Sequence, residues 1–149
     1  MKLEVASPLK GEIKQLQEVP DEVFSQKMLG DGLAIDPKEN VIHAPFDATV
    51  ETLPVERHAI GLKSNEGIEV LIHIGVDTVN LKGNGFKIFV KEGNKVTKGQ
   101  KLIEFDKDFI DKNAPSSIVI VIVINGDAMK VIPTKENQVN AGDFLFNVE

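Results

Sequence analysis

Between closely spaced Gly and Pro residues, the chain alternates apolar and polar positions in short runs: GEIKQL, ATVETL, HAIGL, IEVLIHI, KLIEF and FLFNV. A period of two puts successive side chains on opposite faces, so each run predicts a short, half-buried strand. The run IVIVIVI over residues 118–124 is apolar at every position, which predicts a central strand covered on both faces. Many short strands separated by turn residues predict an all-β fold, an antiparallel sandwich or barrel. Helical signals are few. PDEVFSQKML, opening with Pro20 and Asp21, and DKDFIDKNA predict one or two short helical turns.

The runs echo one another. SPLKGEIKQL from Ser7 matches APFDATVETL from Ala44, and NKVTKGQKLIEF from Asn94 matches NQVNAGDFLFNV from Asn137. The echoes predict two similar halves, a duplicated motif packed against itself. No shift in composition marks a linker, so residues 1–149 read as one domain.

Composition narrows the function. The chain has no cysteine, which excludes a disulfide, a zinc-thiolate site and a thiol nucleophile within it. Its net charge of −6 argues against nucleic-acid binding, which needs clustered Lys and Arg. No apolar run reaches the ~20 residues of a membrane span, and MKLEVASPLKGEI has no signal-peptide pattern. We therefore expect a cytoplasmic protein with no direct membrane insertion and no cofactor.

The strand IEVLIHI carries His73 between Ile72 and Ile74, with Gly75 and Asp77 directly after. Upstream, KSNEG signals a turn ending at Gly67. A hairpin centred between Asn65 and Glu66 would pair His58 with His73 across antiparallel strands, Cβ atoms about 5 Å apart. A bulge at Gly67 would shift that pairing by one residue. Two imidazoles so close suit phosphoryl transfer through phosphohistidine. One ring attacks phosphorus, the other donates a hydrogen bond to a phosphoryl oxygen, and N–H groups at the Gly75 turn form an anion nest. The pair also suits metal binding, or a purely structural role.

At HAIGLKSNEGIEVLIHIGVDTVNLKGNGF the chain resembles the glucose-type enzyme IIA family of the bacterial sugar phosphotransferase system. VPDEVFSQKMLGDGLAIDP and HAPFDATVETL are similar to further family signatures, in the family's order, so the resemblance spans nearly the whole chain. It implies an all-β sandwich or barrel of two similar halves. It also implies that His73 is the phosphorylated residue, through Nε2, and His58 the supporting one. The implied partners are the carrier HPr, which donates phosphate, and an enzyme IIB domain, whose cysteine accepts it. Lacking cysteine, this chain would meet its IIB domain on another chain or on another part of a longer one. By the same resemblance Asp21, Val23, Phe24, Asp77 and Val79 belong to a docking surface, and Asp127 in INGDAMK is a further aspartate near the site. No intrinsic metal is implied, although a partner can bridge a zinc ion with His58 and His73.

The chain departs from the family at Glu56, where threonine is usual, and at Pro54, where an aromatic residue is common. By alternation Glu56 shares a face with His58. It either favours a charged, more strongly donating His58 or points into solvent. Other readings compete. A regulatory module could hold phosphate on histidine without relaying it to sugar. His73-x-x-x-Asp77 spells half of a zinc-peptidase site, but no further His-x-His pair completes it. His43 reads as a strand end. The AMK at Lys130 resembles a biotinyl carrier lysine without the symmetric flanking strands. Gly83 and Gly85 read as turn residues rather than a nucleotide loop.

Overall fold

The computed structural model describes residues 2–149. In the first half of the chain β1 (Leu3–Ala6) and β2 (Gly11–Lys14) precede α1 (Glu22–Ser25), followed by β3 (Asp31–Pro37), β4 (Val41–His43), β5 (Ala48–Thr52), β6 (Ala59–Ser64) and β7 (Glu69–Val76). The second half holds β8 (Phe86–Ile88), β9 (Lys95–Val96), β10 (Lys101–Phe105), α2 (Lys107–Asn113), β11 (Ser116–Val123), β12 (Val131–Pro133), β13 (Gln138–Val139) and β14 (Phe144–Val148). Both predicted helical stretches form. A further 3-10 turn at Thr78–Leu81 carries no helical periodicity and was not expected.

All strand pairs are antiparallel. The large sheet runs β13-β2-β3-β11-β7-β6-β5-β9, and two small sheets run β1-β14-β12 and β4-β10-β8. This is a sandwich. Among the described residues the large sheet stays open from β13 to β9, so of the two predicted architectures the barrel is excluded. The echoed segments fall in matching places. β13 pairs β2 as β9 pairs β5, and β14 pairs β1 as β10 pairs β4. The two similar halves are therefore real, meeting at the central pair β11 and β7.

The alternation sorts side chains between two cores. Val70, Ile72 and Ile74 of β7, with Val119, Val121 and Val123 of β11, join the main core between the sheets. Ile118, Ile120 and Ile122 face outward, yet they are buried with Leu16, Val19 and Phe24 in a second cluster. So β11 is covered on both faces, as its sequence predicts, and the cover is the segment carrying α1. Four helical residues are far below the ~12 needed for an isolated helix to hold. Burial of Leu16, Val19 and Phe24, each worth about 1.5–3 kcal/mol, anchors the segment instead. Asp21 caps α1 by accepting the Val23 N–H at 2.9 Å. His73 faces outward, and this segment therefore covers part of it.

The β6–β7 hairpin corrects one expectation. Gly67 takes a positive φ of 93°, its N–H reaches the Ser64 carbonyl, and the Ser64 hydroxyl accepts the Ile68 N–H. The turn thus contains a bulged glycine, which moves the register by one residue. Ala59, not His58, lies opposite His73.

Candidate phosphoryl-transfer site

His73 sits on the outer face of β7, half-buried. Its Nδ1 lies 2.8 Å from the Gly75 carbonyl oxygen. A carbonyl can only accept, so Nδ1 carries the proton and Nε2 keeps its lone pair bare. The backbone makes this contact by turning sharply after Ile74. Gly75 and Asp77 have φ of 78° and 57°, and Thr78, fully buried, donates its hydroxyl to the Ile74 carbonyl at 2.5 Å. A Cβ on residue 75 would meet Thr78 Cγ2 at 2.5 Å and the Ser116 oxygen at 2.8 Å, so both the conformation and the space require glycine. The expectation for Gly75 shifts accordingly: its identified contribution is a carbonyl that orients the imidazole, rather than a nest of N–H groups.

His58 reaches His73 despite the register. Strand β6 begins at Ala59, and Arg57 before it is left-handed with φ 64°. Strand alternation therefore does not govern residue 58. A single bond, Ile74 N–H to the His58 carbonyl at 2.8 Å, ties it to β7. The two rings meet edge to face, centroids 4.9 Å apart and planes at 84°. His58 is buried, and its Nδ1 has no hydrogen-bond partner among the described residues. That leaves Nε2 as the nitrogen open to a ligand.

Burial, then the neighbouring His58, pushes His73 down to about 4, while the Gly75 carbonyl and Asp21 pull it upward. Burial also lowers His58, against an upward pull from Glu56. Glu56 thus acts on His58 in the expected sense, but burial outweighs it, and the resting pair is neutral at pH 7. Glu56 itself lies in the Val55–Glu56 turn, not in a strand, so alternation is not what brings it near.

The lowered His73 has a consequence for stability. The unfolded ring takes its proton near pH 6.5 and the folded ring only near 4, so the unfolded state binds more protons between them. Stability is full above about pH 6.5 and is lost as pH falls through 4. The loss should be about 2 kcal/mol, given roughly 1.4 kcal/mol per tenfold in proton affinity and allowing for the exposed ring edge. Urea midpoints measured from pH 7 to 4 should fall less in His73→Gln than in the wild type. Equal falls would contradict the assigned shift.

The other predicted residues separate into two groups. Phe24 is only 6% exposed, and its ring packs on His73 with centroids 4.9 Å apart, so it walls the site from within instead of offering an exposed docking contact. Val23 and Val79 are exposed, with Asp21 and Asp77 each two positions before them along their segments. Asp127 is exposed in the turn after β11 and lines a shallow depression with Met28 and Leu29; it is not among the groups acting on His73. Sequence reasoning missed Thr78, a buried residue with no motif of its own, and the wall-like role of Phe24. His43 ends β4 and binds the Pro8 carbonyl through Nδ1 at 3.1 Å, as a structural histidine does. Gly83 and Gly85 are positive-φ turn residues, as expected.

Among the described residues no three or more His, Asp or Glu side chains gather as a metal site. His58 and His73 offer two nitrogens of the four a zinc ion takes. No described helix is long and apolar enough to cross a membrane.

Comparison with known proteins adds three findings. Residues 3–129 match the family model of the phosphoenolpyruvate-dependent sugar phosphotransferase system, EIIA 1. The chain is 46% identical over 147 residues to the PTS system glucose-specific EIICBA component of Staphylococcus carnosus (strain TM300). That alignment takes in 97% of this chain but 22% of the relative, so the chain spans about a fifth of that protein's length. Its fold matches the glucose permease IIA from Mycoplasma capricolum with a TM-score of 0.91 and 40% identity, covering 99% of this chain and 96% of that one. Nothing in the comparisons favours the regulatory, peptidase or lysine-carrier readings.

Proposed function

The chain belongs to the EIIA 1 family of the phosphoenolpyruvate-dependent sugar phosphotransferase system, and from that premise we propose that it relays a phosphoryl group on His73 from phospho-HPr to a IIB cysteine. The observation that carries the reading is the Nδ1–H bond to the Gly75 carbonyl, which leaves Nε2 as an unprotonated nucleophile. In the accepting step the His73 Nε2–phosphorus bond forms as the donor's nitrogen–phosphorus bond breaks. The ring gains positive charge, which the Gly75 carbonyl and Asp21 favour. His58 Nε2 donates a hydrogen bond to a phosphoryl oxygen. In the second step a cysteine thiolate displaces His73 from phosphorus, and the imidazole returns to its neutral form.

Little covalent chemistry falls to the protein in such a transfer; positioning and charge stabilisation do the work. Phe24 and the Gly75 bond hold the His73 ring at a fixed angle. Val23 and Val79, with Asp21 and Asp77, would dock a partner having an apolar centre and a basic rim. The test is incubation with phosphoenolpyruvate, enzyme I and HPr, followed by a chase with a IIB domain. We expect an acid-labile phosphate on this chain that leaves in the chase. A chain that takes no label refutes the carrier reading, and one that keeps its label through the chase is a regulatory module.

A further inference from the structure

The sequence contains two Asn-Gly pairs, Asn84-Gly85 and Asn125-Gly126. In such a pair the glycine nitrogen can attack the asparagine side-chain carbonyl, because no Cβ on the following residue hinders the approach. Tertiary structure treats the two pairs oppositely. Asn125 is exposed but tied at both ends of its amide. Its Oδ1 accepts the Glu69 N–H at 2.7 Å, and its Nδ2 donates to the Gly67 carbonyl at 2.9 Å, clamping it to the β6–β7 turn. Asn84 is exposed too, and its amide makes no hydrogen bond among the described residues. The Gly85 nitrogen donates to no backbone carbonyl among them either. The backbone there turns through two positive-φ glycines, Gly83 and Gly85, both at 89°.

We propose that Asn84 is a site of spontaneous, structure-directed deamidation and that Asn125 is protected by its two hydrogen bonds. The Gly85 nitrogen forms a bond to Asn84 Cγ and loses its proton as the Cγ–Nδ2 bond breaks, releasing ammonia and leaving a cyclic imide. Water then opens the imide at either carbonyl, giving aspartate or isoaspartate at position 84. No oxidant, enzyme or cofactor enters. Clamped as it is, the Asn125 amide must break both hydrogen bonds before it can turn toward the Gly126 nitrogen.

The position gives the modification a consequence. The loop at Gly83 packs against the turn that delivers His58, close to Arg57 Cδ and the Val55 and Glu56 carbonyls. Deamidation adds one negative charge next to Gly83 in that loop, to a chain whose net charge is already −6.

The experiment ages the full folded chain in warm, mildly alkaline buffer and maps tryptic peptides by mass. Cleavage after Lys82 and Lys87 isolates Asn84, and cleavage after Lys112 and Lys130 gives a peptide holding Asn113 and Asn125, which fragmentation tells apart. A sample unfolded in urea shows what both sites do without structure. We expect progressive loss of the Asn84 amide, with isoaspartate among the products, while the Asn125 amide persists in the folded protein and is lost in the unfolded one. The acidic species should be missing from Asn84→Ser. An Asn84 amide that survives in the folded chain while the unfolded control loses it overturns the proposal, as does loss at Asn125 at the same rate as at Asn84.

Discussion

His73→Ala is expected to abolish phosphoryl acceptance, lowering the labelling rate by at least about 10⁴-fold, the scale on which nucleophile removal acts. The geometry leaves no substitute. His43 stands on β4, in a different sheet from the pair, and no carbonyl holds the proton on His58 Nδ1 to leave its Nε2 bare. The fold should survive, because the ring stands on the outer face of β7 while Ile72 and Ile74 hold the strand in the main core. A far-ultraviolet spectrum and a urea midpoint near wild type at pH 7 would separate lost chemistry from lost structure. Acid-labile phosphate on the alanine variant would place the nucleophile elsewhere and end the assignment.

His58→Gln should leave acceptance from phospho-HPr largely intact and slow onward transfer to a IIB cysteine by about 10²–10³-fold, the range for loss of one positioned electrostatic or acid–base group. Acceptance requires from this chain a bare Nε2 on His73 and a nearby donor, and glutamine keeps an N–H there. Onward transfer requires the phosphoryl charge to be held while the bond to His73 breaks. With the phosphoryl dianion beside it, the opposite charge favours a charged imidazole, which can hold that dianion better than a neutral amide can. Single-turnover rates in the two directions would show the split. Equal loss in both directions would make His58 a general packing element, and no loss in either would remove it from the mechanism.

Much of this molecule is legible along the chain. Strands announce themselves through period-two alternation, because a strand's two faces meet different solvents. The doubly apolar run at 118–124 announces its central place, and the paired segments announce the two halves, which the sheet order then displays. The histidine pair was also legible, but for a partly mistaken reason. Regular pairing was expected to bring His58 opposite His73, whereas the bulge at Gly67 puts Ala59 there. The rings still meet because the left-handed Arg57 releases residue 58 from the alternation. The family resemblance put Phe24 on a docking surface, whereas the structure buries it. Its burial depends on β3, β7 and β11 presenting a second apolar face.

Local order was therefore written in residue types and spacings: the strands, the duplicated halves, the absence of thiol chemistry, and the identity of the two rings. Those features follow from side-chain polarity and backbone preference acting over a few residues. What remained for long-range folding to settle was the register of β6 on β7, the proton on Nδ1 rather than Nε2, the neutral state of the pair, and which of two identical Asn-Gly pairs is tied down. Each depends on a carbonyl, a charge or an apolar wall brought from elsewhere in the chain, and no local pattern encodes that proximity.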